Sequence, residues 1–407
     1  MRAFGKLRRP TVALAVVTAA ALSLAACGGS SKSSSGTSAT TSGGSGAAKT
    51  AGPAAEYLTL KGISTAVDLD AGTLKTLTEK NVTVTPVDPA KVTTNGGVTT
   101  ATFPITQGFV SVYPNTVADY IRGTFNHSGG LKFAAGGKTL EVTDFVVNPG
   151  DSTLTATVGG ASAAQILDLD GTNVQISTDA QGDTKLDGTV AKLSQIGADA
   201  LNKYFGVTFF AKGIVLGVVH VTATGTPGPK GAASAEYLTL KGANTAVDLD
   251  AGTMKVLAQK NVAVAPVAPA TVTGSTASFP ITQGYVAVYP TTEPDYVRGA
   301  FSHSGGLKFT AGGKSLELTD FFVNPGDSTL TATVTGGSQA QVLDLDGSNL
   351  AISTDASGNT KLDGTVAKLS QVGADALNKY FGVTFFAKGI VLGVVHVTAN
   401  GTPAPKA

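Results

Sequence analysis

The chain is one domain written twice, and that fact constrains the fold more than any composition or motif. Residues 56–62, Glu-Tyr-Leu-Thr-Leu-Lys-Gly, recur at 236–242. Residues 127–133, His-Ser-Gly-Gly-Leu-Lys-Phe, recur at 303–309, and Ala-Leu-Asn-Lys-Tyr-Phe-Gly at 200–206 recurs at 376–382. Tyr57 and Tyr237 stand 180 positions apart, whereas His127 and His303 stand 176 apart. The first copy therefore carries four extra residues around Thr93 to Val98. An insertion tolerated there marks an exposed loop. A unit of roughly 170 residues is domain-sized and far too long for a solenoid repeat. The Pro/Gly segment that follows the first copy, Gly225-Thr226-Pro227-Gly228-Pro229-Lys230, reappears after the second as Gly401-Thr402-Pro403-Ala404-Pro405-Lys406. The expected organisation is copy 1 over 55–224, a linker over 225–234, copy 2 over 235–400 and a tail over 401–407.

Within one unit the pattern is that of short strands. Thr and Val are abundant, and both suit a pleated surface. Val82 to Val87 alternates with period two, and Ile121 to Ser128 reads as a strand ending at Gly129-Gly130. Gly136-Gly137 and Asn148-Pro149-Gly150-Asp151 are turn signals. Asp70 is placed to cap a short helix over 71–80. From Leu193 the residues Ile196, Gly197, Ala200, Leu201 and Tyr204 fall on one helical stripe, closed by Gly206. Val207 to Val221 reads as one or two buried strands. The expected class is mainly β: two tandem β-sandwich-like or barrel-like domains, each with about two short helices.

Ahead of the copies lies a different kind of sequence. Arg2, Lys6, Arg8 and Arg9 precede an apolar run from Val12 to Ala26, which ends in Leu24-Ala25-Ala26-Cys27-Gly28. A basic start, a short apolar core and small residues before a cleavage point make a secretory signal. Cys27 is the only cysteine and sits where a lipobox would place it. On that reading residues 1–27 are a lipoprotein signal, and Cys27 takes diacylglyceryl and palmitate-type chains. Two chains are what stable anchoring needs. Residues 28–54 are Gly, Ser, Thr and Ala, too poor in large side chains to order themselves. They form a tether with an r.m.s. span of roughly 25–30 Å. The expected location is the outer face of the cytoplasmic membrane, at the cell surface.

The chemistry available beyond that anchor is narrow. With Cys27 consumed, no thiol remains for disulfides, thiolate catalysis or cysteine-ligated metal. A net charge of +1, with 14% charged residues, supplies no basic block for nucleic acid. No nucleophile elbow, zincin helix or Ser/His/Asp spacing is present, so the chain reads as a non-enzyme without a metal site. Gly137-Lys138-Thr139 lacks the upstream Gly of a phosphate loop and reads as a hairpin turn. Asp68-Leu69-Asp70 and Asp168-Leu169-Asp170 read as strands with a wet face. The four histidines are two duplicated positions, His127/His303 and His220/His396. Counting by twos places His127 with Phe125 and Ile121, and His220 with Val218 and Leu216. His220 reads as a core residue. His127, at a strand end beside Ser128-Gly129-Gly130, is with His303 the candidate ligand-binding position.

The run Arg122-Gly123-Thr124-Phe125-Asn126-His127-Ser128-Gly129-Gly130-Leu131 resembles the central segment of HtaA domains, and Leu193 to Gly206 resembles their ending. These domains occur in actinobacterial surface proteins associated with haem uptake. The resemblance implies a β-sandwich-like domain that binds haem through a Tyr near its start, helped by a His. Only the His carries over, to His127 and His303. The family's Trp-containing segment with its Tyr has no counterpart, and this chain has no Trp. The expectation is a duplicated envelope binding module with haem or an iron complex as its ligand. The alternative is a structural or adhesive envelope protein that faces a polymer or protein partner.

Overall fold

A computed structural model describes residues 55–60, 64–114, 116, 120–227, 235–240, 244–293, 296–335 and 339–403. The signal, Cys27 and the tether read from the sequence lie outside the described residues.

Eight strands of the first copy carry the architecture. They are β1 (Ser64–Leu69), β2 (Val98–Val112), β3 (Ile121–His127), β4 (Lys138–Asn148), β5 (Thr153–Val158), β6 (Ala161–Asp170), β7 (Thr184–Leu193) and β8 (Val215–Ala223). Each pairs antiparallel with the next, and β8 pairs back onto β1 through Gly217–Leu69 to Val221–Thr65. The sheet is therefore a closed up-and-down barrel, which removes the free edges that an open sheet must protect. The second copy repeats it with β9 (Asn244–Leu249), β10 (Thr276–Val288), β11 (Val297–His303), β12 (Lys314–Asn324), β13 (Thr329–Val334), β14 (Gln339–Asp346), β15 (Thr360–Leu369) and β16 (Val391–Ala399). The mainly β, two-domain class follows the sequence reading, and closure is what the pairings add to it.

Helix α1 (Ala71–Glu79) follows β1, and α2 (Gln195–Phe205) follows β7. The first helix starts at the cap the sequence placed, and the second starts at Ser194. Asp70 accepts from the Thr73 amide at 2.7 Å, and Ser194 accepts from the Gly197 amide at 2.9 Å. Gly206 ends α2 in the left-handed region, at φ 72°. The odd-numbered strands all run toward this helical end. Helices α3 (Ala251–Gln259) and α4 (Gln371–Phe381) repeat the arrangement. The four-residue insertion lengthens the hairpin of Lys91–Asn95 with β2, whose counterpart in the second copy is the shorter Thr271–Thr273.

Two sequence expectations differ from the structure. Residues 207–214 form a loop, not a strand. The Asn202 side chain holds that loop, donating to Phe210 O at 2.8 Å and accepting from Phe210 N at 3.1 Å, so a side chain takes the place of a strand partner. Phe210 then packs into the core with Leu201 and Phe103. His220 is not in the core. Both faces of β8 are apolar in sequence, and the barrel takes Val219, Val221 and Ala223 inward. His220 is left outside between Asp187, 3.1 Å from Nδ1, and Asp68, 3.4 Å from Nε2.

The barrels meet through β2–β5 of one and β10–β13 of the other. Gln107 donates to Thr331 Oγ1 at 2.6 Å and to Phe322 O at 3.3 Å. Gln283, its counterpart, donates to Thr155 Oγ1 at 2.8 Å and to Val146 O at 3.1 Å. Asn148 donates to Gly284 O at 3.5 Å, and Asn324 to Gly108 O at 3.3 Å. Each contact is answered by the equivalent positions in the opposite direction, the property of an isologous interface. Phe109 and Tyr285, also equivalent, stack at its centre with ring centroids 5.6 Å apart. This packing explains why Arg122, Thr124 and Asn126, which alternate with the inward residues of β3, are fully buried. Arg122 lies over the Tyr113 ring at 4.1 Å, and Arg298 over Tyr289 at 3.9 Å.

Candidate functional site

The inward side chains of the eight strands do not fill the barrel. Val67, Phe103, Phe125, Val147, Leu154 and Val221 are among those that surround a cavity of about 400 Å³ in the first copy. Val247, Phe279, Phe301, Val323, Leu330 and Val397 surround one of about 360 Å³ in the second. Copy 1 has a further cavity of about 520 Å³ beneath α1 and α2, which shares Phe133, Val142, Ile166, Leu167 and Leu216 with the first. The helices and Phe209-Phe210 close that end. The opposite end, lined by Tyr120, Pro149, Ser152, Gly171, Thr172 and Val174, is the mouth.

His127 lines the cavity at the end of β3, as the alternation through Ile121 and Phe125 predicts. Its Nδ1 lies 3.0 Å from Phe145 O, and its Nε2 lies 2.6 Å from Thr65 Oγ1. A carbonyl oxygen only accepts, so Nδ1 carries the proton, and Nε2 accepts from the threonine hydroxyl. Burial pushes the His127 pKa down to about 4, against the smaller opposite effect of the Phe145 carbonyl. The ring is therefore neutral, with both nitrogens in use. It packs against Phe125 with centroids 5.5 Å apart. His303 repeats each feature, with Phe321 O at 3.1 Å, Thr245 Oγ1 at 2.7 Å and a pKa lowered by burial to about 4.

The cavity tyrosine is at the other end. Tyr120 precedes β3 and His127 closes it, so roughly 23 Å of extended chain separates them. In copy 2 the corresponding hydroxyl of Tyr296 donates to Leu350 O at 3.2 Å, across the mouth. Asp170 is the charged residue of the copy 1 lining. Its ion pair with Lys192, at 2.8 Å, and the Thr172 hydroxyl hold its carboxyl well below the usual range. Among the described residues, no group of three or more His, Cys, Asp or Glu side chains could hold a metal ion. No described helix is long and apolar enough to cross a membrane.

Sequence reasoning found His127 but not what surrounds it. A buried acidic position, Asp144, carries no signal in the sequence. It sits in a bulge at φ 54°, and burial raises its pKa to about 6, with Asp320 of the other barrel adding a like charge. A non-glycine residue held at positive φ leaves no mark in the hydrophobic pattern.

No family model matches the chain, and no curated protein sequence matches it. Two solved structures are similar in part. The C-terminal domain of HtaA from Corynebacterium glutamicum aligns over 40% of this chain and 99% of its own length, at 19% identity and a TM-score of 0.29. The haem-binding protein HtaB from the same organism aligns over 42% of this chain and 95% of its own length, at 12% identity and a TM-score of 0.27.

Proposed function

We propose that the chain is a lipid-anchored envelope protein that presents two non-enzymatic binding barrels, each taking a small, largely apolar molecule into its interior. The observation that carries this reading is the cavity. Its volume of about 400 Å³ falls within the range of ligand pockets, about 300–1,000 Å³. Held dry and empty, such a void would cost on the order of 10 kcal/mol at about 24 cal/mol per Å³. That is comparable to the whole stability of a typical domain. A fold that keeps this space in both copies is best served by filling it.

Haem is the first ligand to test, on the resemblance around His127 and His303. The geometry sets a condition on it. To reach iron, His127 must give up its bond to Thr65 or to Phe145. Adding haem to residues 28–407, which retain every described element, tests this by Soret absorbance. A shifted band lost in the His127→Ala, His303→Ala double variant supports the histidine role, and an unchanged band removes it. Anchoring is tested separately. Cys27→Ala is expected to move the chain from the membrane fraction to the soluble one, and retention in the membrane fraction would overturn it.

A further inference from the structure

We infer that each barrel interior is shaped for one long acyl chain, lying along the barrel axis with its polar end at the mouth. The inference rests on the cavity reading above and narrows it to a ligand class.

Three observations carry it. The first is how few polar groups line the depth. Below the mouth, the polar side chains of the copy 1 lining are Thr65, His127 and Thr189. Thr65 and His127 are bonded to each other, and the second histidine nitrogen is taken by Phe145 O. A ligand rich in buried donors or acceptors would leave most of them unpaired, and hydrocarbon leaves none. The second is a polar cluster at the mouth. Tyr120, Ser152 and Thr172 place hydroxyl groups at the mouth, beside the Asp170–Lys192 pair. A molecule with one polar terminus and an apolar body matches that gradient.

The third observation is continuity. The apolar lining continues past His127 through Leu131, Phe133, Val142, Ile166 and Leu167. Beyond it, the cavity beneath α1 and α2 is separated by no more than the five apolar side chains the two share. An apolar wall that continues in this way suits the body of an acyl chain. The differences between the copies keep this character. Ile121, Ile166 and Val174 are answered by Val297, Val342 and Leu350, apolar for apolar.

The test uses residues 28–407, stripped of bound lipid, titrated with the fluorescent fatty acid cis-parinaric acid. The expected result is two molecules per chain, displaced by stearate, and one molecule per chain when Ala191→Phe narrows the first barrel. A second measurement does not depend on that variant folding. The chain has no Trp, so Phe133→Trp and Tyr120→Trp each install a sole reporter. Stearate brominated near its methyl end should quench the Trp at 133 at least threefold more than the Trp at 120. Equal quenching, or the reverse order, overturns the orientation. If haem or an aromatic dye occupies the barrels while stearate neither binds nor displaces it, the acyl-chain inference falls and the cavity reading stands. If no probe binds a chain that melts normally, both fall.

Discussion

Thr65 holds His127 from two strands away, across β2: its hydroxyl donates to Nε2 over 2.6 Å, and the pair repeats as Thr245 and His303. The Phe145 carbonyl fixes the tautomer, and burial keeps the imidazole neutral in an apolar wall. Thr65→Val keeps the shape and removes the donor, so a buried nitrogen loses its partner. The expected cost is about 1–3 kcal/mol in urea unfolding. His127→Phe removes both polar partners at once and is expected to leave Phe145 O unsatisfied at a similar cost.

The pH dependence of stability contains two opposing parts. His127 and His303 have folded pKa values of about 4, below the ordinary 6.5. The unfolded chain binds their protons first, so each histidine removes stability as pH falls from about 6.5 to 4. The slope approaches 1.4 kcal/mol per pH unit for each. Asp144 has the reverse sign. Its folded pKa, about 6, lies above the ordinary 3.8, so the folded state binds the proton first and gains stability as pH falls between those values. Asp320 is shifted in the same direction. The native chain should therefore show a shallow profile between pH 6 and 4. Asp144→Asn with Asp320→Asn should expose a steeper acid loss, read from urea midpoints at each pH.

The interface between the barrels predicts a coupling. Gln107→Ala and Thr331→Val each break the same cross-barrel bond, so their costs should not add. A double-mutant cycle is expected to give an interaction of about 1 kcal/mol, and the Gln283–Thr155 cycle should give the same value. Additive costs would show that the bond contributes nothing to the pairing.

Gly123 is a position where no side chain fits. It lies at φ 138°, and a Cβ there would stand 2.1 Å from Phe109 O on the neighbouring strand. Gly123→Ala is expected to cost more than about 3 kcal/mol and to lower the melting temperature sharply. Gly136→Ala, at a hairpin tip with open space around it, should cost far less because only φ strain acts there.

Much of this fold was legible because period-two alternation and turn residues are local signals. Asp70 and Gly206 announced helix ends, and Ile121, Phe125 and His127 announced one wall of the cavity. Less was legible where both faces of a strand carry similar residues. On β8 the apolar pattern runs on both sides, and only closure against β7 and β1 decides that His220 faces out. On β3 the residues Arg122, Thr124 and Asn126 alternate with the inward ones, and their face is buried. It is dry because the other barrel covers it, and no property of one copy alone encodes that cover. The cavity itself is a failure to fill space, which depends on how eight strands close and is invisible in any one of them.

The reciprocity of Gln107 and Gln283 has a consequence for stoichiometry. An interface of this symmetry would, between separate molecules, form and dissolve with concentration. Here the partner is covalently supplied, at an effective concentration that linkers of this length typically raise to the millimolar range. Pairing is thus independent of how many copies the cell makes. Sites borne on such a chain arrive two at a time, at a fixed spacing, even when the protein is scarce.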